Sequence, residues 1–160
     1  MSTVSKTKNG RLVRWLFVLS FVVMAFSGFG QMPIFKRYYI ADIPGMGWAA
    51  DFYLTHTIHY LGAIFLLGFF AYLITEYLLS ARRRSRLTAA GIVRILLLAG
   101  LVVTGIVRVL KNLPDVTFSP GVTMFVDIAH LGFMMIFLLA ALAFVLTKQK
   151  WVTARSDSPS

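Results

Sequence analysis

FYLTHTIHYLGAIFLLGFFAYLIT, residues 52–75, holds no charged side chain between Asp51 and Glu76. As a helix, a stretch of this length rises about 36 Å, more than the ~30 Å hydrocarbon core of a bilayer. It reads as a membrane span, and three comparable segments surround it. Residues 15–35 lie uncharged between Arg14 and Lys36. Residues 121–147 are broken only by Asp127. Residues 87–110 contain Arg94 and Arg108, with 13 uncharged positions from Ile95 to Val107. That segment spans if its two arginines sit near the interfaces or face protein.

Composition agrees. Apolar residues make up 58% of the 160 residues and charged residues 14%, against about 25% charged in soluble domains. The expected fold is all-α, a four-transmembrane-helix bundle. Its helices fall at about 12–32, 51–80, 88–111 and 121–147, in one membrane domain over residues 1–150. Residues 151–160 are expected as a disordered cytoplasmic tail. No second soluble domain fits, and no internal repeat is visible.

The net charge of +10 does not point to nucleic acid, because the charges cluster beside the apolar segments. Eleven basic residues fall on one side: Lys6, Lys8, Arg11, Arg14, Arg82, Arg83, Arg84, Arg86, Lys148, Lys150 and Arg155. The other side has Lys36, Arg37 and Lys111, with Arg108 close by. This imbalance predicts cytoplasmic N and C termini of a multi-pass membrane protein; the bacterial inner (cell) membrane is the expected location. A basic start before an apolar stretch also suits a signal peptide, but the run is long and Ser27-Gly28-Phe29-Gly30 is a weak cleavage site. A retained helix is expected. The outer loop, residues 31–50, carries breakers at Pro33 and Pro44. Its Tyr38, Tyr39 and Trp48, with Tyr53, suggest an interfacial aromatic belt.

There is no cysteine, which removes disulfides, cysteine-ligated iron–sulfur clusters, covalent c-type haem and thiol nucleophiles. All three histidines lie inside expected spans: His56 and His59 in the second, His130 in the fourth. Polar groups there are costly and point to function. His59 lies about eight residues in from the outer end of its helix, and His130 about nine, so both sit roughly 12–13 Å deep. Two imidazoles at one level suit the axial positions of a haem iron. Two other readings stay open: each histidine hydrogen-bonds a neighbouring helix, or all three hold zinc.

The neighbours suit a flat ring. Gly62 follows His59 on its own face, Gly132 follows His130, and Gly28 and Gly30 lie near the outer end of the first span. Small residues serve a macrocycle or close helix packing equally well. Arg108 is placed to pair with a haem propionate or to snorkel to the interface. His56, one turn from His59, is the second candidate ligand, or a partner for a propionate or a quinone. Asp127, one turn before His130, is a candidate acceptor that would orient the imidazole, or a proton carrier. Glu76 and Arg94 fall near the cytoplasmic ends of their helices, where pairing would ease their burial.

The order and spacing of several short segments resemble a known family. These are Ile58-His59-Tyr60-Leu61-Gly62-Ala63-Ile64-Phe65, Leu101-Val102-Val103-Thr104-Gly105-Ile106, Ile128-Ala129-His130-Leu131-Gly132 and Ala25-Phe26-Ser27-Gly28-Phe29-Gly30. Together they resemble the cytochrome b (gamma) subunits of membrane-bound formate dehydrogenases and nickel–iron hydrogenases, over all four spans. That resemblance implies two b haems, the outer one ligated by His59 and His130. It places the inner haem's ligands at the start of the first span and fourteen residues after His130. Those positions hold Arg14 or Trp15, and Phe144, so the chain departs from the family: one haem b is expected, the outer one. The family's quinone site lies beside the inner haem, which puts a menaquinone or ubiquinone site here in question.

The expected function is therefore that of a non-catalytic electron-transfer subunit and membrane anchor. It would relay electrons between an iron–sulfur or multihaem cytochrome subunit on the outer side and membrane quinone, with other membrane subunits and lipid as neighbours. The alternatives are a haem-free anchor subunit of such a complex and a small transporter. The transporter reading lacks the repeats and broken helices usual at transport sites.

Overall fold

In the computed structural model, which describes residues 8–81 and 85–154, the protein is 78% helical and four helices are long and apolar enough to cross a membrane. The all-α expectation holds, and the protein is a multi-pass membrane protein. Lys6, Arg82, Arg83, Arg84 and Arg155, which entered the orientation argument, lie outside the described residues, as do tail residues 155–160. The chain divides in sequence near residue 82 into two compact units. Each contains an antiparallel helical hairpin.

The first hairpin pairs α1 (Lys8–Gly30) with α3 (Phe52–Glu76). The helix α1 stops short of the expected residue 32, because Pro33 lacks an N–H and cannot continue the ladder. The connection is structured by a four-residue helix, α2 (Ile34–Arg37), and by 3-10 turns at Ile40–Asp42 and Gly47–Ala50. Between these turns Gly45 takes φ 86°, where a side chain would be strained. The Phe26 ring packs at 4.9 Å from Phe35 and 5.5 Å from Trp48, so the connection folds back onto α1. The Asp51 carboxylate caps α3 by accepting from the Leu54 N–H at 3.1 Å, a contact worth about 1 kcal/mol. At its far end α3 loosens into a π-turn, Tyr77–Ala81.

The second hairpin pairs α4 (Ala89–Leu110) with α5 (Pro120–Leu146). Thr88 caps α4 by accepting from the Gly91 N–H at 2.9 Å, and Pro120 opens α5 where no N–H is needed. Beyond the helices, the expected disordered tail begins as structure. The strand β1 (Ser85–Leu87) pairs antiparallel with β2 (Val152–Ala154), matching Arg86 to Thr153. The Thr88 hydroxyl donates to the Lys150 carbonyl at 2.6 Å, and Gly91 lies directly against the Trp151 carbonyl. The chain after α5 is held by backbone bonds that composition does not advertise.

Burial is inverted relative to a soluble protein. Val145 and Leu146 are each 71% exposed, whereas Ser27, Thr55 and Arg94 are buried. Apolar side chains that face outward on every long helix are suited to lipid. The polar groups they shield must find partners inside the protein.

Candidate functional site

Each hairpin carries one histidine held by a hydroxyl from the facing helix. In the first, His59 Nδ1 on α3 lies 3.0 Å from Ser27 Oγ on α1. Ser27 gives its single proton to the Val23 carbonyl at 2.7 Å, one turn back along α1. A hydroxyl whose proton is committed accepts through its oxygen. His59 is thus the donor, with the proton on Nδ1 and the lone pair on Nε2. Next to Ser27, Gly28 leaves room for the ring: a Cβ there would come 3.3 Å from His59 Cε1.

The second hairpin repeats the arrangement. His130 Nδ1 on α5 lies 2.9 Å from Thr104 Oγ1 on α4, and Thr104 donates to the Gly100 carbonyl at 2.7 Å. The same reasoning puts the proton on His130 Nδ1 and the lone pair on Nε2. The following residue is again glycine, and a Cβ on Gly105 would come 3.4 Å from His130 Cε1. The sequence reading missed Ser27, Thr104 and Gly105 as site residues. Their signal is a hydroxyl–glycine dipeptide near the exit of both odd spans.

The remaining expected residues separate into groups. His56 Nδ1 lies 3.1 Å from Gln31 Oε1, and Gln31 Nε2 reaches the Ser27 carbonyl at 3.4 Å. The His56 ring also stacks on Phe52 at 5.3 Å and meets Tyr60 edge-on at 4.3 Å. Gly62 is a packing residue, because a Cβ there would come 2.8 Å from Met24 Sδ on α1. Gly132 faces open space, with nothing within 4 Å of a Cβ. Among the described residues no three His, Cys, Asp or Glu side chains converge as a zinc site requires.

Asp127 and Arg108 find each other. Asp127 accepts from Arg108 Nε at 2.9 Å and from Lys111 Nζ at 2.7 Å. The acceptor expected of Asp127 toward His130 is supplied by Thr104, since a carboxylate facing two cations gains more from them than from a neutral imidazole. With Asp115 in the same connection, two cations and two carboxylates balance at the loop end of this hairpin.

No family model, curated protein or solved structure matches the chain.

At the opposite end of the second hairpin, the Arg94 guanidinium lies 4.5 Å over the Phe144 ring and 4.9 Å from Trp151, and Nη2 donates to the Gln149 carbonyl at 3.1 Å. Arg94 is 5% exposed, and its Nη1 is buried without a hydrogen-bond partner. Position 144, where the family resemblance would require a second haem ligand, thus holds a phenyl ring covered by a cation.

Proposed function

We propose that the protein is a single-haem cytochrome b subunit that anchors a respiratory oxidoreductase complex in the membrane. It relays electrons between a redox partner on the outer side and membrane quinone, with both termini in the cytoplasm. The single observation that carries this reading is the matched pair of anchored histidines. His59 and His130 each have Nδ1 engaged as a donor and a glycine beside the ring. A haem ligand is a neutral imidazole with its lone pair on the outer nitrogen, the tautomer that a donor bond from Nδ1 favours. The residues therefore fit haem b, which supplies one-electron chemistry when bound.

The chain's own contribution is placement. His59 and His130 would hold the haem, Ser27 and Thr104 would orient them, and Gly28 and Gly105 would keep side chains off the rings. Arg108, already shared with Asp127, is the candidate partner for a propionate. His56, tied to Gln31 and two aromatic rings, is the less suited ligand. The outer connection, with Lys36, Arg37 and its aromatic residues, is the docking surface for an iron–sulfur or multihaem subunit.

Purified protein is expected to show a reduced-minus-oxidised b-type spectrum that His59→Ala and His130→Ala each abolish. A full spectrum in either variant overturns that ligand. The occupied position 144 favours a second reading, a haem-free anchor descended from such a subunit. Stoichiometric haem rejects that alternative.

A further inference from the structure

We infer that Ser27 and Thr104 are positioning residues that hold the two imidazoles in one tautomer and set how strongly each donates to a metal, so that each hairpin carries the same hydroxyl–imidazole pair. The tautomer part stands on the hydrogen bonds alone. The metal part rests on the haem reading above.

The two hairpins share one hydrogen-bond pattern. In each, the hydroxyl sits on the first helix and the histidine on the second. The hydroxyl proton goes back four residues along its own helix, at 2.7 Å in both cases. Ring nitrogen and hydroxyl oxygen lie 3.0 and 2.9 Å apart. The residue after the hydroxyl is glycine, and its missing Cβ would come 3.3 or 3.4 Å from the ring carbon Cε1. Sequence comparison of the halves hides this, because the hydroxyl changes from Ser to Thr and the hydroxyl-to-histidine separation is 32 residues in one hairpin and 26 in the other.

The chemistry follows from the direction of the bonds. In lipid a hydroxyl is generally satisfied by its own helix carbonyl and needs no further partner. Here the oxygen retains its lone pairs and is presented to Nδ1–H, which favours the tautomer with the proton on Nδ1. A neutral hydroxyl is also a weaker acceptor than a carboxylate. It orients the ring without drawing the Nδ1 proton far, so each histidine is a moderate donor. Losing the acceptor makes the imidazole less basic and favours the reduced metal. The hydroxyl contact is the same in both hairpins, so both losses act in the same direction.

The test uses the full chain in detergent. Potentiometric titration of Ser27→Ala and Thr104→Val is expected to show upward shifts of the haem reduction potential, additive in the double variant. Ser27→Thr and Thr104→Ser, which keep the hydroxyl, are expected to stay at the wild-type value. Nitrogen-15 NMR of the imidazoles in haem-free chain is expected to show protonated Nδ1 at His59 and His130. Ser27→Ala and Thr104→Val convert their own histidine to a mixture. Unmoved potentials, a shift in one half only, or protonated Nε2 in the wild-type chain overturns the proposal. If the wild-type chain binds no haem, the cytochrome reading fails, and the NMR measurement still decides the role of the hydroxyls.

Discussion

Asp127 lies one turn before His130 on α5, yet its carboxylate bonds both Arg108 and Lys111 across the hairpin, at 2.9 and 2.7 Å. The loop end of the second hairpin is thus closed by charge, while the histidine one turn deeper is held by a neutral hydroxyl. Asp127→Asn leaves two cations without their anion. These side chains are partly exposed, so the loss is modest, about 1 kcal/mol. Thermal unfolding in detergent should show a lower midpoint, and raised salt should narrow the gap to wild type. An unchanged midpoint at low salt contradicts the pairing.

Gly105→Val tests the space beside His130. Even a single methyl would stand 3.4 Å from Cε1, and the two further methyls of valine must displace the ring. Overpacking of this kind costs about 1–3 kcal/mol. The haem-to-protein ratio is expected to fall well below wild type while the chain still inserts. Gly132→Ala, which meets open space, is the control and should retain its haem.

The two candidate ligands on α3 separate on haem content. His56→Ala removes a contact to Gln31 and two ring contacts, which together cost about 1–2 kcal/mol, and should keep its b-type spectrum. A spectrum lost in His56→Ala and kept in His59→Ala would reverse the assignment.

Arg94→Ala frees the end of the second hairpin. It removes a charged hydrogen bond to the Gln149 carbonyl and a cation seated on Phe144 and Trp151, together about 2–3 kcal/mol. Limited proteolysis should cut faster within residues 147–154, with the helices intact. Gly91→Ala, which pushes on the Trp151 carbonyl, is expected to do the same. Equal cleavage rates in wild type and both variants would remove Arg94 from this role.

The four spans were legible because lipid demands long uncharged segments, and composition alone reports them. The places of His59 and His130 within long apolar helices were also legible, since both fall well inside uncharged segments. Their anchors were not. Ser27 and Thr104 look like ordinary hydroxyls in apolar helices, and only the facing helix reveals what the oxygen accepts. The cation partners of Asp127 were not legible because spacing along one helix ranks neighbours on that helix, whereas the stronger Coulomb attraction came from the other. The β1–β2 pairing was missed because three-residue strands carry no readable alternation, and the contact that seats them is a backbone carbonyl against Gly91.

That pairing also changes the topology of the second hairpin. Ser85–Leu87 and Val152–Ala154 run side by side, so the polypeptide enters and leaves through one doorway, a strand spacing of about 4.8 Å wide. Such a module is a nearly closed circle. A gene re-spliced to join the two strands and to open at the exposed 112–118 loop would encode the same two helices, with Thr104 and His130 still face to face, in permuted order.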